Sequence, residues 1–129
     1  MEYQTSIYSA SVRLPATLTC PEQYTGKLPM VLLCHGHSRH KDDGLDVLGQ
    51  RLLEQGYASL RFNFRGCGVD AENRYALYCM SDWVNDLISA VSYVSGLAFV
   101  DTGRIGVAGI SMGACTALYV TGMDDRIHS

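Results

Sequence analysis

Two hydrophobic periods alternate along this chain, and the points where one gives way to the other divide it into elements. Residues 3–20 (YQTSIYSASVRLPATLTC) are rich in Thr, Ser, Val and Tyr and read as two short strands or a hairpin. After the turn PEQYTGKLP, the unbroken apolar run MVLLC (30–34) has the character of a strand buried on both faces of a parallel sheet. The polar stretch HGHSRHKDDG then forms a loop. Leu45, Leu48, Leu52 and Leu53 share helical spacing, with Gly56 as the stop. YASLRFNF (57–64) alternates and is strongly β-forming, and RGCGVD after it is a Gly-punctuated loop. Ser81 is expected to cap a second helix, DWVNDLISAVSYV, whose Trp83, Leu87, Val91 and Val94 lie on one face. Gly103 and Arg104 lead into the apolar strand IGVAGI (105–110). Ser111 opens a helix of small residues, MGACTALYV, which Gly122 ends. The repeated order of strand and helix predicts an α/β fold, a parallel sheet with helices on both faces.

Composition narrows the function classes more than it changes the fold. The 129 residues are 47% hydrophobic and 18% charged, the profile of an ordinary globular chain with room for one domain. Ten Lys and Arg against thirteen Asp and Glu leave a formal charge of −3, without the basic stripe of a nucleic-acid binder. No apolar run approaches the roughly 20 residues that span a bilayer. The start, MEYQTSIYSA, lacks the basic and apolar regions of a cleaved signal peptide. Five scattered cysteines without a C-x-x-C pair suit free thiols in a reducing compartment. A cytoplasmic protein without a cofactor is expected, with neither nucleic acid nor membrane as a partner.

The sharpest chemical signal is Gly109-Ile110-Ser111-Met112-Gly113, a G-x-S-x-G between an apolar strand and a helix. The bare pattern is weak, but its placement makes a sharp turn that lifts the serine Oγ clear of the sheet. Side chains at the two glycines would strike the neighbouring strand and helix. Ser111 also stands at a helix N-terminus, where N–H groups and the dipole favour developing negative charge. The plainer alternative is an N-cap serine in a glycine-rich turn. A second signal, His35-Gly36-His37-Ser38, follows the 30–34 strand directly.

With these two motifs the chain resembles the α/β-hydrolase superfamily. The resemblance runs through KLPMVLLCHGHSRHKDDG, GYASLRFNFRGCG and GRIGVAGISMGAC, roughly residues 28–123, with three motifs in family order. It is similar to the serine esterase and peptidase-like branch that also holds cinnamoyl esterases and dienelactone-hydrolase-like proteins. The resemblance implies a single α/β-hydrolase domain, of which residues 1–129 are the N-terminal part, and a mostly parallel sheet. It implies Ser111 as nucleophile, with the backbone N–H groups of His37 and Met112 forming the oxyanion hole. A carboxylesterase acting on a small-molecule ester, or an amidase, follows from it. Where relatives commonly read D-F-R-G-H-G, this chain has Asn63-Phe64-Arg65-Gly66-Cys67-Gly68, positions of structural weight, with Arg65 a loop brace rather than a substrate clamp.

A serine nucleophile needs a base and a group to orient it, and in this superfamily both follow the serine. After Ser111 only Asp124, Asp125 and His128 are of the right type. The helix from 112 to 121 climbs about 15 Å at 1.5 Å per residue and carries them away from Ser111. His35 and His37 belong to the oxyanion loop and are expected to bond its backbone. The expectation is therefore a hydrolase truncated after the helix that follows Ser111, without the triad acid and His and inactive alone. It would expose the edge of the 105–110 strand and the apolar Leu118 and Val120, and self-associate there. Two further readings stand beside this one. One is a catalytically inactive interaction module. The other is a zinc hydrolase using His35, His37 and His40, whose H-x-H-x-x-H spacing is spoiled by the cation Arg39.

Overall fold

The computed structural model describes residues 1–68 and 79–129. Among the described residues, strands β1 (Glu2–Ser9) and β2 (Val12–Thr19) form an antiparallel hairpin. Then come β3 (Leu28–Cys34), α1 (Leu45–Glu54), β4 (Ala58–Phe62), α2 (Met80–Ser95), β5 (Val100–Gly109) and α3 (Met112–Met123). The sheet order is β1-β2-β4-β3-β5, with β3 parallel to both β4 and β5 and β2 antiparallel to β4. This is the expected α/β architecture. Val69 and Asp70, the end of the expected RGCGVD loop, lie outside the described residues.

The period-2 geometry of a strand sends alternate side chains to the two faces, and both faces are covered. Met30, Leu32, Cys34, Leu60 and Phe62 join the main core with Trp83, Leu87, Val91 and Val94 of α2. On the other face α1 lies so close that a Cβ at Gly49 would stand 3.2 Å from Ser59 Oγ and 4.0 Å from Leu33 Cδ1. Helices α2 and α3 pack on each other and on β5, while α1 packs on β4 and β2.

Several local expectations are corrected. β4 does not alternate in exposure, because it is the middle strand and all five of its residues are buried. Arg61 is buried there as an ion pair with Asp42 (3.1 Å) and Glu2 (3.0 Å), which answers the cost of burying its charge. Ser81 is not the cap of α2. The helix starts two residues earlier than expected, at Met80 rather than Asp82, and the Asp82 carboxylate reaches back to accept the Cys79 N–H at 2.9 Å. Leu118 is 78% exposed as expected, but Val120 faces inward and is fully buried in the core. β5 is an edge strand, yet part of its edge is occupied. The His128 N–H donates to the Ile105 carbonyl and the Val107 N–H to that of Ser129, both at 2.8 Å. No helix among the described residues is long and apolar enough to cross a membrane.

Candidate active site

The G-x-S-x-G and H-G motifs leave adjacent parallel strands at the same level. Cys34 is paired with Gly109, and the Ile110 N–H continues the ladder to the Cys34 carbonyl at 3.1 Å. Beyond these residues the two loops meet: a Cβ built on Gly36 would lie 3.3 Å from the Ile110 carbonyl oxygen and 3.4 Å from Ser111 Cβ. Beside them opens a cleft of about 260 Å³ lined by His35, Gly36, Arg39, Asp43 and Ile110.

Ser111 occupies a backbone conformation that L-residues rarely adopt, φ 54° and ψ −120°. Such a residue stores on the order of 1–3 kcal/mol, which the surrounding packing must impose. The packing is severe. A Cβ on Gly109 would stand 2.5 Å from the Gly113 carbonyl oxygen, and one on Gly113 only 2.3 Å from that of His35. Strand, turn and helix therefore approach at a distance only glycines permit. Ser111 is exposed, and its side chain makes no capping bond to α3. An N-cap serine would have extended dihedrals and a hydroxyl bonded to the N2 or N3 amide, and Ser111 has neither. Met112 is the first helical residue, in the turn whose N–H groups have no intrahelical acceptor.

His35 is 1% exposed and both ring nitrogens bond backbone. Nε2 accepts the Phe64 N–H at 3.0 Å, so Nδ1 carries the proton and donates to the Gly36 carbonyl at 2.7 Å. Its ring meets Phe64 and Trp83 edge-on, at 5.2 and 5.3 Å between centroids, and those two rings stack on each other at 4.1 Å. Burial pushes its pKa down to about 4, against which the Gly36 bond works, with smaller opposed effects from His40 and Asp43. A proton on Nε2 would also face the Phe64 N–H.

The unfolded imidazole titrates near 6.5 and the folded one near 4. Stability from this residue is therefore complete above pH 6.5 and is lost as the pH falls through 6.5 toward 4. Between pH 7 and 4.5 the loss is about 2 kcal/mol. Urea unfolding of the wild type and of His35→Gln at the two pH values measures it, because the variant lacks the titrating group. An equal pH effect in both would contradict the assignment.

The neighbouring loops are braced from the residues after β4. Asn63 Oδ1 accepts the Lys41 N–H at 2.7 Å, a role an Asp could also fill. Arg65 is a brace, as expected: its side chain donates twice to the fully buried Asp86 at 3.0 and 2.8 Å, and reaches Ser9 Oγ at 3.2 Å. His37 and His40 are exposed in the loop after β3. His35 cannot join them around a metal, because the Phe64 N–H occupies the lone pair on Nε2 and Nδ1 bears the proton. Among the described residues no group of three His, Cys, Asp or Glu side chains is disposed to hold an ion. His128 bonds the Thr102 carbonyl at 3.2 Å, beside the start of β5, whereas Ser111 follows the end of that strand.

The family model described as "Serine aminopeptidase, S33" matches residues 27–128 of this chain. The chain belongs to this α/β-hydrolase family. An uncharacterized protein encoded in the traX-finO intergenic region of Escherichia coli is 28% identical over 102 residues, 78% of this chain and 35% of that protein. Est1E from Butyrivibrio proteoclasticus, solved with ferulic acid bound, gives a TM-score of 0.87 at 26% identity over 95% of this chain and 49% of its own. A dienelactone hydrolase from Anabaena variabilis has a TM-score of 0.80 at 19% identity, covering 100% of this chain and 61% of that one. The chain thus spans about a third of that curated relative and about half of Est1E. Its fold is that part of an α/β-hydrolase which carries the strand, turn and helix around Ser111.

Proposed function

We propose that Ser111 is the nucleophile of a hydrolase that cleaves a carboxylic ester, or an amide, by acyl transfer. The observation that carries this reading is the backbone of Ser111 at φ 54°, with an exposed hydroxyl that does no work for the helix. Ser111 Oγ attacks the acyl carbon and its proton passes to a general base. The carbonyl electrons move onto oxygen, which the N–H groups of Met112 and His37 receive. Collapse of the adduct expels the alcohol or amine, protonated by the same base, and water then releases the acid by the reverse sequence.

His35 is closed off by its two backbone bonds and His128 lies at the wrong end of β5, so neither is the base. His37 and His40 precede Ser111 in the chain, whereas in this superfamily the base follows the nucleophile. Base and orienting acid would come from the further length that the relatives carry, so the 129 residues alone should hydrolyse activated esters negligibly. Small and medium acyl esters are the preferred substrates, and the ferulic acid held by Est1E favours testing hydroxycinnamates among them.

The test uses the protein as its gene encodes it, with p-nitrophenyl acetate, p-nitrophenyl butyrate, methyl ferulate and leucine p-nitroanilide. Turnover of the esters at a higher kcat/KM than the anilide is expected. Turnover of the anilide alone would make it a peptidase. Failure on all four would leave an interaction module and overturn the proposal.

A further inference from the structure

On the acyl-transfer reading above, we infer that His35 is a positioning residue that aims the His37 N–H at the oxyanion by clamping the Gly36 carbonyl. The Gly36 C=O and the His37 N–H belong to one peptide unit. There is no cis peptide among the described residues, so the two dipoles point in opposite directions. The carbonyl is held by the buried His35 Nδ1 at 2.7 Å, and the Arg39 N–H at 3.2 Å closes the turn on it. With its carbonyl drawn toward the buried imidazole, the peptide sends the His37 N–H the opposite way, and the exposed Ser111 stands against Gly36.

The clamp is rigid because its other end is anchored. Nε2 takes the Phe64 N–H from the loop after β4, the strand beside β3, and the Phe64 and Trp83 rings fix the imidazole plane. It also has strain to resist. The turn closed by the Arg39 N–H puts Ser38 at φ 59°, a left-handed conformation that a serine leaves unless held. Without the Nδ1 bond, only the longer Arg39 N–H bond at 3.2 Å holds the Gly36 carbonyl, and the 36–37 peptide can rotate and carry its N–H away from the oxyanion.

Two substitutions divide the two bonds. His35→Gln can still accept the Phe64 N–H through its amide oxygen but loses the donor to Gly36. His35→Asn places an amide N–H near the Nδ1 position and loses the Phe64 bond. In the full protein His35→Gln is expected to lower ester kcat by about 10²-fold with KM nearly unchanged, while His35→Asn keeps kcat within about tenfold of wild type. Both rates are normalised to the folded fraction from near-UV circular dichroism. Losses that merely track that fraction, or wild-type kcat in folded His35→Gln, would overturn the inference. In the wild type, ¹⁵N shifts of His35 should show a protonated Nδ1 and a bare Nε2, and the opposite tautomer would also overturn it. Ser111→Ala run in parallel separates the two levels. If it keeps wild-type turnover, the acyl-transfer reading falls and this inference with it. If it is dead while His35→Gln is fully active, only the inference falls.

Discussion

Ser111→Ala is expected to lower kcat/KM for p-nitrophenyl acetate by on the order of 10⁴–10⁶ in the protein as its gene encodes it. Only binding and the oxyanion donors would act on a bound ester once the nucleophile is gone. Stability should hardly change. The hydroxyl makes no cap bond to α3, and alanine at φ 54° is no more strained than serine. A large fall in rate with an unchanged Tm is thus the signature of a nucleophile. A rate within about tenfold of wild type would assign the chemistry elsewhere.

Gly113→Ala should have the largest effect on folding. The added Cβ would lie 2.3 Å from the His35 carbonyl oxygen and 2.5 Å from that of Cys34. Both are backbone atoms at the end of β3, so no flexible side chain can yield, and α3 must move off the sheet. The cost is about 3 kcal/mol or more, a large share of the stability of a small domain. Gly122→Ala is the control. Nothing lies within 4 Å of its added methyl, and alanine in a helix gains about 0.5–1 kcal/mol over glycine. Urea midpoints for the two variants give the comparison. A Gly113→Ala midpoint close to wild type would mean that the turn tolerates a wider separation of strand and helix.

What can be read from the chain alone is what local pattern controls. The all-apolar run 30–34 marks a doubly covered strand, and the spacing of Trp83, Leu87, Val91 and Val94 marks the buried face of α2, each fully buried. The serine turn is legible because its requirements, two glycines between strand and helix, fall within five consecutive residues. Features that depend on distant partners are not legible. Arg61 reads as an exposed position of an alternating strand, because its partners Glu2 and Asp42 lie far away in sequence. Of the two bonds of His35, the one to the neighbouring Gly36 is local, but the other depends on Phe64, 29 residues later, which no spacing rule connects to it. Val120 turns inward because α3 packs on both α2 and β5, a contact that helical periodicity in a uniformly apolar segment does not orient. The start of β5 at Val100 rather than Ile105 rests on pairing with Leu28 across a register shift in otherwise polar sequence. The cap of α2 did carry a local signal, an Asp three residues after Cys79, though its partner is a backbone N–H rather than a serine hydroxyl.

The most direct test of Ser111 as the acyl acceptor is to treat the full protein with a fluorophosphonate and map the adduct by peptide mass spectrometry. The serine oxygen displaces fluoride at phosphorus, and the phosphonyl group stays on the residue that would have carried the acyl group. One adduct is expected, on the peptide containing Ser111, appearing in step with the loss of ester hydrolysis. An adduct on any other residue with the same loss of activity would contradict the assignment.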